Sequence, residues 1–313
     1  MEGYFCSIIS TMWFIFVIIH VFFLAWVNYI DEYLTNNNKV SKSTDIHTRI
    51  GGLLLVSTLM SFVGASILGF LIFSPSLFHF SSPQIWALLS AIPMVTMYGS
   101  YFYLLNTYPT YQVVPLFQIS SVWMLIIELL FGGTISLIGL MGVAVLMAGA
   151  YLLDAGTLKW QIPTKLLWIS IPATSSWAIA LFMVRHASQF SATNLITFWQ
   201  LMGIGLIGVV LFVAVKKYRD GFLFRLQHQG KNFMGFSLLN EGLAESGYVF
   251  GNLAVAMAPV AAYVTAMSGV QSVFLLGFLK LFPQSGRKTQ ITSLQVVSIL
   301  LIALGVFLIE VVE

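Results

Sequence analysis

The sequence predicts an all-α integral membrane protein of ten transmembrane helices arranged as two inverted five-helix repeats, 1–156 and 157–313. Three observations predict it. Of the 313 residues, 58% are hydrophobic and only 8% charged, against about 25% charged in a soluble domain. So few charges do not cover a water-facing surface, and lipid is the solvent that fits. The apolar residues also gather in long continuous runs, such as 50–73, where a membrane β-barrel shows ~10-residue segments of alternating polarity. Finally, ordered similarity links the two halves of the chain.

A helix needs about 20 apolar residues to cross the hydrocarbon. Runs of that kind lie at roughly 5–30, 50–73, 84–106, 110–131, 134–154, 166–186, 193–215, 233–255, 259–281 and 291–312. No basic segment precedes the first run, so it reads as a retained helix and not a cleavable signal. The second run carries Ala65 and Gly69, and the seventh Gly203, Gly205 and Gly208, small residues that let helix backbones approach closely. Tight turns join the third run to the fourth (Asn106-Thr107-Tyr108-Pro109) and the fourth to the fifth (Gly132-Gly133). The connections 31–49 and 216–232 are longer and hydrophilic. None accommodates a separate soluble domain, and the single cysteine, Cys6, excludes an intrachain disulfide.

Basic residues cluster in four connections and their flanks: Lys39, Lys42 and Arg49; Lys159 and Lys165; Lys216, Lys217, Arg219, Arg225 and Lys231; Lys280, Arg287 and Lys288. Of the 14 Lys and Arg, Arg185 alone lies on the other side. The positive-inside rule places these connections in the cytoplasm and both termini outside. Short connections without Asn-x-Ser/Thr sites suit a bacterial inner membrane.

The internal similarity runs in order. Ile119-Ser120-Ser121-Val122 aligns with Met267-Ser268-Gly269-Val270, and the stretch from Ile135-Ser136 to Gly149 and Asp154 aligns with Ile291-Thr292 to Gly305 and Glu310. Tyr101 pairs with Tyr248, and Trp13 with Trp177. Five spans per half is an odd number, so the halves are inverted relative to each other, with a site expected at the midplane where they meet.

On these residues the chain resembles the drug/metabolite transporter superfamily, specifically its ten-helix EamA-like members. The likeness covers essentially the whole length and rests on Trp13 and Trp177, on Val113-Val114-Pro115 to Gly132, and on Ile135-Ser136…Gly142…Gly149 with Ile291-Thr292…Ser298…Gly305. It implies a secondary transporter. Members often carry a Glu just before the fifth and tenth helices, where Gly133 and Thr289 stand here. They also usually keep their termini in the cytoplasm, opposite to the charge pattern of this chain.

Ionisable groups inside hydrocarbon cost at least about 2.5 kcal/mol each at a helix centre, so each one asks for a reason. Glu245 lies near the middle of the eighth run, with Glu241 one turn away and Tyr248 and Asn252 continuing the same face. Burial and mutual repulsion oppose ionising both acids together, which lets one of them load and release a proton. Glu128, near the end of the fourth run, has Gln118 and Ser121 close to its face. Tyr98 and Tyr101 occupy the positions in the first half that match Glu245 and Tyr248. An acidic wall opposite an aromatic one, with Trp13 and Trp177 nearby, suits an amine or another cation by charge and cation–π attraction. His20 is a second proton-relay candidate, better read as a satisfied core histidine, and Arg185 reads as an interfacial anchor beside His186.

Nothing indicates an enzyme, a cofactor or a nucleic-acid partner: HExxH, GxSxG, paired CxxC and phosphate-binding glycine loops are all missing, and the histidines are scattered. The expected activity is secondary active transport of a small organic metabolite or amphiphilic cation by alternating access, with proton coupling and export as components. The lipid bilayer and a small-molecule substrate are the partners. Two rival readings are a carrier or flippase of a lipid-linked intermediate and a membrane-embedded enzyme; the depth of the acids in the eighth run favours transport over the latter.

Overall fold

The computed structural model describes residues 2–36, 45–72, 80–108, 110–155, 164–228, 230–282 and 292–311, and every regular element among them is helical. In chain order these are α1 (Glu2–Asn36), α2 (Ile46–Ile72), α3 (Ser82–Thr107), α4 (Thr110–Val113), α5 (Ile119–Leu130), α6 (Leu137–Ala155), α7 (Thr164–Ser188), α8 (Thr193–Ala214), α9 (Lys216–His228), α10 (Gly230–Met257), α11 (Ala261–Met267), α12 (Gln271–Leu281) and α13 (Ser293–Val311). A 3-10 turn (Val114–Gln118) joins α4 to α5, and another (Ser268–Val270) joins α11 to α12. The fourth and ninth predicted runs are therefore broken helices, and the other eight are single ones.

This is an all-α membrane protein. Seven segments are long and apolar enough to cross a membrane by length and composition: Met12–Asp31, Ile46–Ile72, Ser82–Thr107, Thr164–Ser188, Thr193–Ala214, Ala261–Leu281 and Ser293–Val311. The fourth and fifth predicted runs fall short in length, at Leu116–Leu130 and Leu137–Leu153. The eighth, α10, is long enough at 28 residues, but Asn240, Glu241, Glu245 and Asn252 dilute its apolar character. The outward surface carries large apolar side chains such as Phe70, Leu130, Val213, Leu300 and Phe307, all exposed, a coat that water would penalise and lipid accepts.

Local sequence sets several helix ends. At the start of α3 the Ser81 backbone N–H donates to Gln84 Oε1 at 3.1 Å, and Pro83 occupies the first turn, where its missing N–H costs nothing. Pro93 in α3 and Pro172 in α7 lie inside their helices; in a packed bundle neighbours absorb the hydrogen bond each removes. Pro259 separates α10 from α11.

Two of the predicted connections are shorter than the sequence suggests. Helix α1 continues through Asp31 to Asn36, so the hydrophilic stretch begins later than 31. The segment 216–232 is mostly helix α9, packed along the first half of α2. There Gly221 sits directly on the Thr48 carbonyl oxygen, Arg225 Nη2 donates to the Arg49 carbonyl at 3.1 Å, and Lys217 pairs with Asp45 at 3.0 Å. Lys39, Lys42, Lys159, Arg287, Lys288 and Thr289 lie outside the described residues.

Packing between the halves is reciprocal. The first helix of each half lies against the third of the other (α1 on α10, α7 on α3), α2 lies against α8, and the closing helices α6 and α13 pair with each other. Glycine sets the α6–α13 distance. A Cβ on Gly305 would stand 2.6 Å from the Leu146 backbone nitrogen and 2.8 Å from the Gly142 carbonyl oxygen. No side chain fits there.

Gly305→Ala is therefore expected to lower the melting temperature of the detergent-solubilised protein, at a cost of about 1–3 kcal/mol. Gly242→Ala, on a helical glycine whose Cβ meets nothing within 4 Å, is expected to leave it unchanged or raise it slightly. Equal melting temperatures for wild type and Gly305→Ala would contradict this packing.

Candidate functional site

Between the helices lies a cavity enclosing ≈ 830 Å³ of empty space, its mouth included. Helices from both halves of the chain line it. Its polar side is built from Asn28 and Asp31 of α1, Ser57 of α2, Gln118 at the first 3-10 turn, Asn240 and Glu241 of α10, and Gln271 of α12. Its aromatic side is Tyr98, Tyr101 and Phe102 of α3, Phe117, Trp177 of α7 and Tyr248 of α10. Tyr98 and Tyr248 have ring centroids 6.0 Å apart, and Trp177 lies 5.9 Å from Tyr248. The two groups are not separate walls, since the Tyr101 hydroxyl meets both Asn28 and Asp31.

Depth along α10 explains why these residues meet. At 1.5 Å per residue, Glu245 stands about 22 Å from the first residue of α10 and about 18 Å from its last. Glu241, one turn earlier, lines the cavity. Both acids are buried and both are answered by serines one turn apart on α2: Ser57 Oγ donates to Glu241 Oε1 at 2.6 Å, and Ser61 Oγ donates to Glu245 Oε1 at 2.7 Å. Glu245 does not line the cavity. It sits behind Glu241 against α2, where a Cβ on Gly64 would meet its carboxyl at 3.2 Å. Its Oε2 is buried with no hydrogen-bond partner among the described residues.

Sequence reasoning missed the acid on the other side. Asp31, read as the start of a connection, is a helical residue only 4% exposed. Asn240 Nδ2 donates to its Oδ1 at 2.8 Å, and Tyr101 Oη donates toward its Oδ2 at 3.0 Å and toward Asn28 Oδ1 at 2.7 Å. The available signal was the spacing of Asn28 and Asp31, three residues apart and so on one helix face.

The remaining predicted residues lie elsewhere. Glu128 is not part of the cavity wall. Its carboxylate caps the start of α11, accepting from the Ala261 N–H at 2.7 Å and the Ala262 N–H at 3.1 Å, which satisfies two of the donors a helix start leaves unpaired. Arg185 lies 3.6 Å from it and donates to the carbonyls of Val255 (3.3 Å) and Pro259 (2.8 Å). The guanidinium is thus anchored within the bundle, tying α7 to the end of α10. Trp177 precedes Arg185 by eight residues, about 12 Å of helix, so this cluster lies farther along α7 than the cavity wall. Trp13 is buried beside Phe14 and is not among the lining residues. Asn252 donates to Thr197 Oγ1 at 3.1 Å and Gln200 Oε1 at 2.8 Å, tying α10 to α8. His20 Nδ1 lies 2.7 Å from the Gly247 carbonyl and donates to it, the satisfied core histidine of the bland reading.

No protein-family model matches this sequence, and no curated protein does either. Solved structures do share its fold. One crystal structure superposes with a TM-score of 0.62, covering 97% of this chain and 98% of that one, at 12% sequence identity. At that identity the likeness speaks for the fold alone.

Truncating the cap leaves two backbone donors without their acceptor and a guanidinium without its counter-charge, whereas truncating Arg185 leaves the carboxylate on its two amides. Glu128→Ala is expected to destabilise the protein by about 1–3 kcal/mol, and by more than Arg185→Ala does. Thermal melts followed by size-exclusion chromatography measure both; the reverse order would contradict the capping role.

Proposed function

We propose that the chain is a secondary active transporter of a small organic solute, an EamA-like member of the drug/metabolite transporter superfamily, working by alternating access around the cavity. The observation that carries this reading is a cavity lined by carboxyl groups and aromatic rings and walled by helices from both halves of an apolar bundle. Transporters built from repeats hold their solute sites where the repeats meet. In this reading all ten runs span the membrane, with α4–α5 and α11–α12 as broken spans and α10 as a polar one. The reciprocal packing of α1 on α10 and α7 on α3 supports two inverted halves, 1–156 and 157–313. The short connections without Asn-x-Ser/Thr sites support a bacterial inner membrane, and the charge pattern supports both termini outside.

Glu241 and Glu245 are the coupling pair. Glu241 faces the solute, and Glu245, one turn behind it with an unpaired oxygen, takes or gives the proton as the solute enters or leaves. Their serine partners sit on α2, so a change in protonation alters the contact between α2 and α10. That contact links the two halves, which is what coupling requires. Transport, and not a bond-making step, is the activity: the acids are separated from the aqueous ends of their helix by several turns.

Solid-supported-membrane electrophysiology on proteoliposomes tests this, with amines, amino acids and sugars as cargo. At least one class is expected to evoke a current driven by an imposed pH gradient, retained in Gly242→Ala and largely lost in Glu241→Gln and Glu245→Gln. Currents of wild-type size in both glutamine variants would refute the coupling pair. An absence of current and of radiolabelled exchange with every class would refute transport.

A further inference from the structure

The hydrogen-bonding groups of the cavity select the kind of solute it takes. Asp31 and Glu241 are its charged lining residues, and among the described residues no Lys, Arg or His lines it. The Asn240 amide is oriented by donating to Asp31, which turns its oxygen into a free acceptor. That Oδ1 is buried, on a residue 3% exposed, with no hydrogen-bond partner among the described residues. Gln118 Oε1 is in the same condition, on a residue also 3% exposed, at the junction of the 3-10 turn with α5. At the Tyr101 hydroxyl a single proton faces two acceptors, Asn28 Oδ1 and Asp31 Oδ2. The polar side is therefore dominated by acceptors: two carboxyl groups and two orphan amide oxygens.

Buried acceptors left unmade are costly, and a ligand that brings N–H donors to them recovers that cost. We infer that the cavity takes a cation carrying several N–H donors, a primary ammonium or a guanidinium, with its charge on Asp31, its N–H groups on Asn240 Oδ1 and Gln118 Oε1, and its apolar body against Tyr98, Trp177 and Tyr248. This rests on the reading of the cavity as a solute site and names the class of that solute. A quaternary ammonium has the charge and the cation–π attraction but no donor. A neutral alcohol has one donor and no charge. An anionic solute meets like charge at Asp31 and Glu241.

Isothermal titration of the purified, detergent-solubilised protein with benzylguanidine, benzylamine, benzyltrimethylammonium and benzyl alcohol decides it. The first two are expected to bind at least about tenfold more tightly than the other two. Asp31→Asn is expected to remove that preference. Gln118→Leu breaks none of the described hydrogen bonds, so its fold is expected to survive. It is expected to weaken benzylguanidine and leave benzyltrimethylammonium unchanged, with elution profile and melting temperature as the check on folding. Equal affinity for benzylamine and its trimethylated analogue overturns the inference, and so does a Gln118→Leu protein that binds benzylguanidine like wild type. Binding of benzyl alcohol or the quaternary ion alone also overturns it, while keeping the cavity as a solute site. Failure of all four to bind overturns it too, and the proteoliposome currents then judge transport independently.

Discussion

Within hydrocarbon a carboxyl group has to find its hydrogen-bond partners inside the protein, and four carboxyls organise this bundle. Glu241 and Glu245 are answered by Ser57 and Ser61, which fixes the register of α10 against α2. Asp31 gathers Tyr101 of α3 and Asn240 of α10 onto α1. Glu128 reaches across from α5 to start α11. None of these contacts joins neighbours in sequence. Each joins helices far apart in the chain, so the polar groups specify which helices meet, and the apolar surface, which is much the same on every helix, fills in around them.

The cavity follows from the same arrangement. At the 3-10 turns between α4 and α5 and between α11 and α12, Gln118, Ser120, Ser268 and Gln271 stand at or beside the junctions and line the wall. The Glu128–Arg185 cluster binds α5, α7, α10 and α11 together, and Asn240, about 15 Å along α10, joins that helix to the end of α1 through Asp31.

Much of this was legible in the sequence, and what was missed has physical causes. Glu241, Glu245 and Tyr248 stood out because a charged or polar side chain inside an apolar run is rare enough to mark itself. Asp31 did not, because it closes an apolar run next to Glu32, and hydropathy alone ends the helix there; the Asn28–Asp31 spacing that keeps it helical is a weaker signal than the loss of hydrophobicity. Basic residues disguised α9 as a connection, although Phe222, Phe224 and Leu226 interleave with them. Gly142 and Gly305 stood out only through the internal similarity and the resemblance, and the structure brings their backbones together. The cap by Glu128 was not readable, since it depends on where a helix from the other half begins. Asn252 continues the face of Glu241, yet at its level along α10 the partners are Thr197 and Gln200 of α8.

The central claim is that the cavity is a solute site reached from one side of the membrane at a time. It is tested most directly by placing one thiol in the cavity, Ala244→Cys in a Cys6→Ser background, and applying a membrane-impermeant thiol reagent to each side of oriented proteoliposomes. Labelling is expected readily from the side that bears Asp31 and the basic connections, and far more slowly from the opposite side. Labelling at equal rates from both sides of the intact protein, or from neither side, would contradict the account.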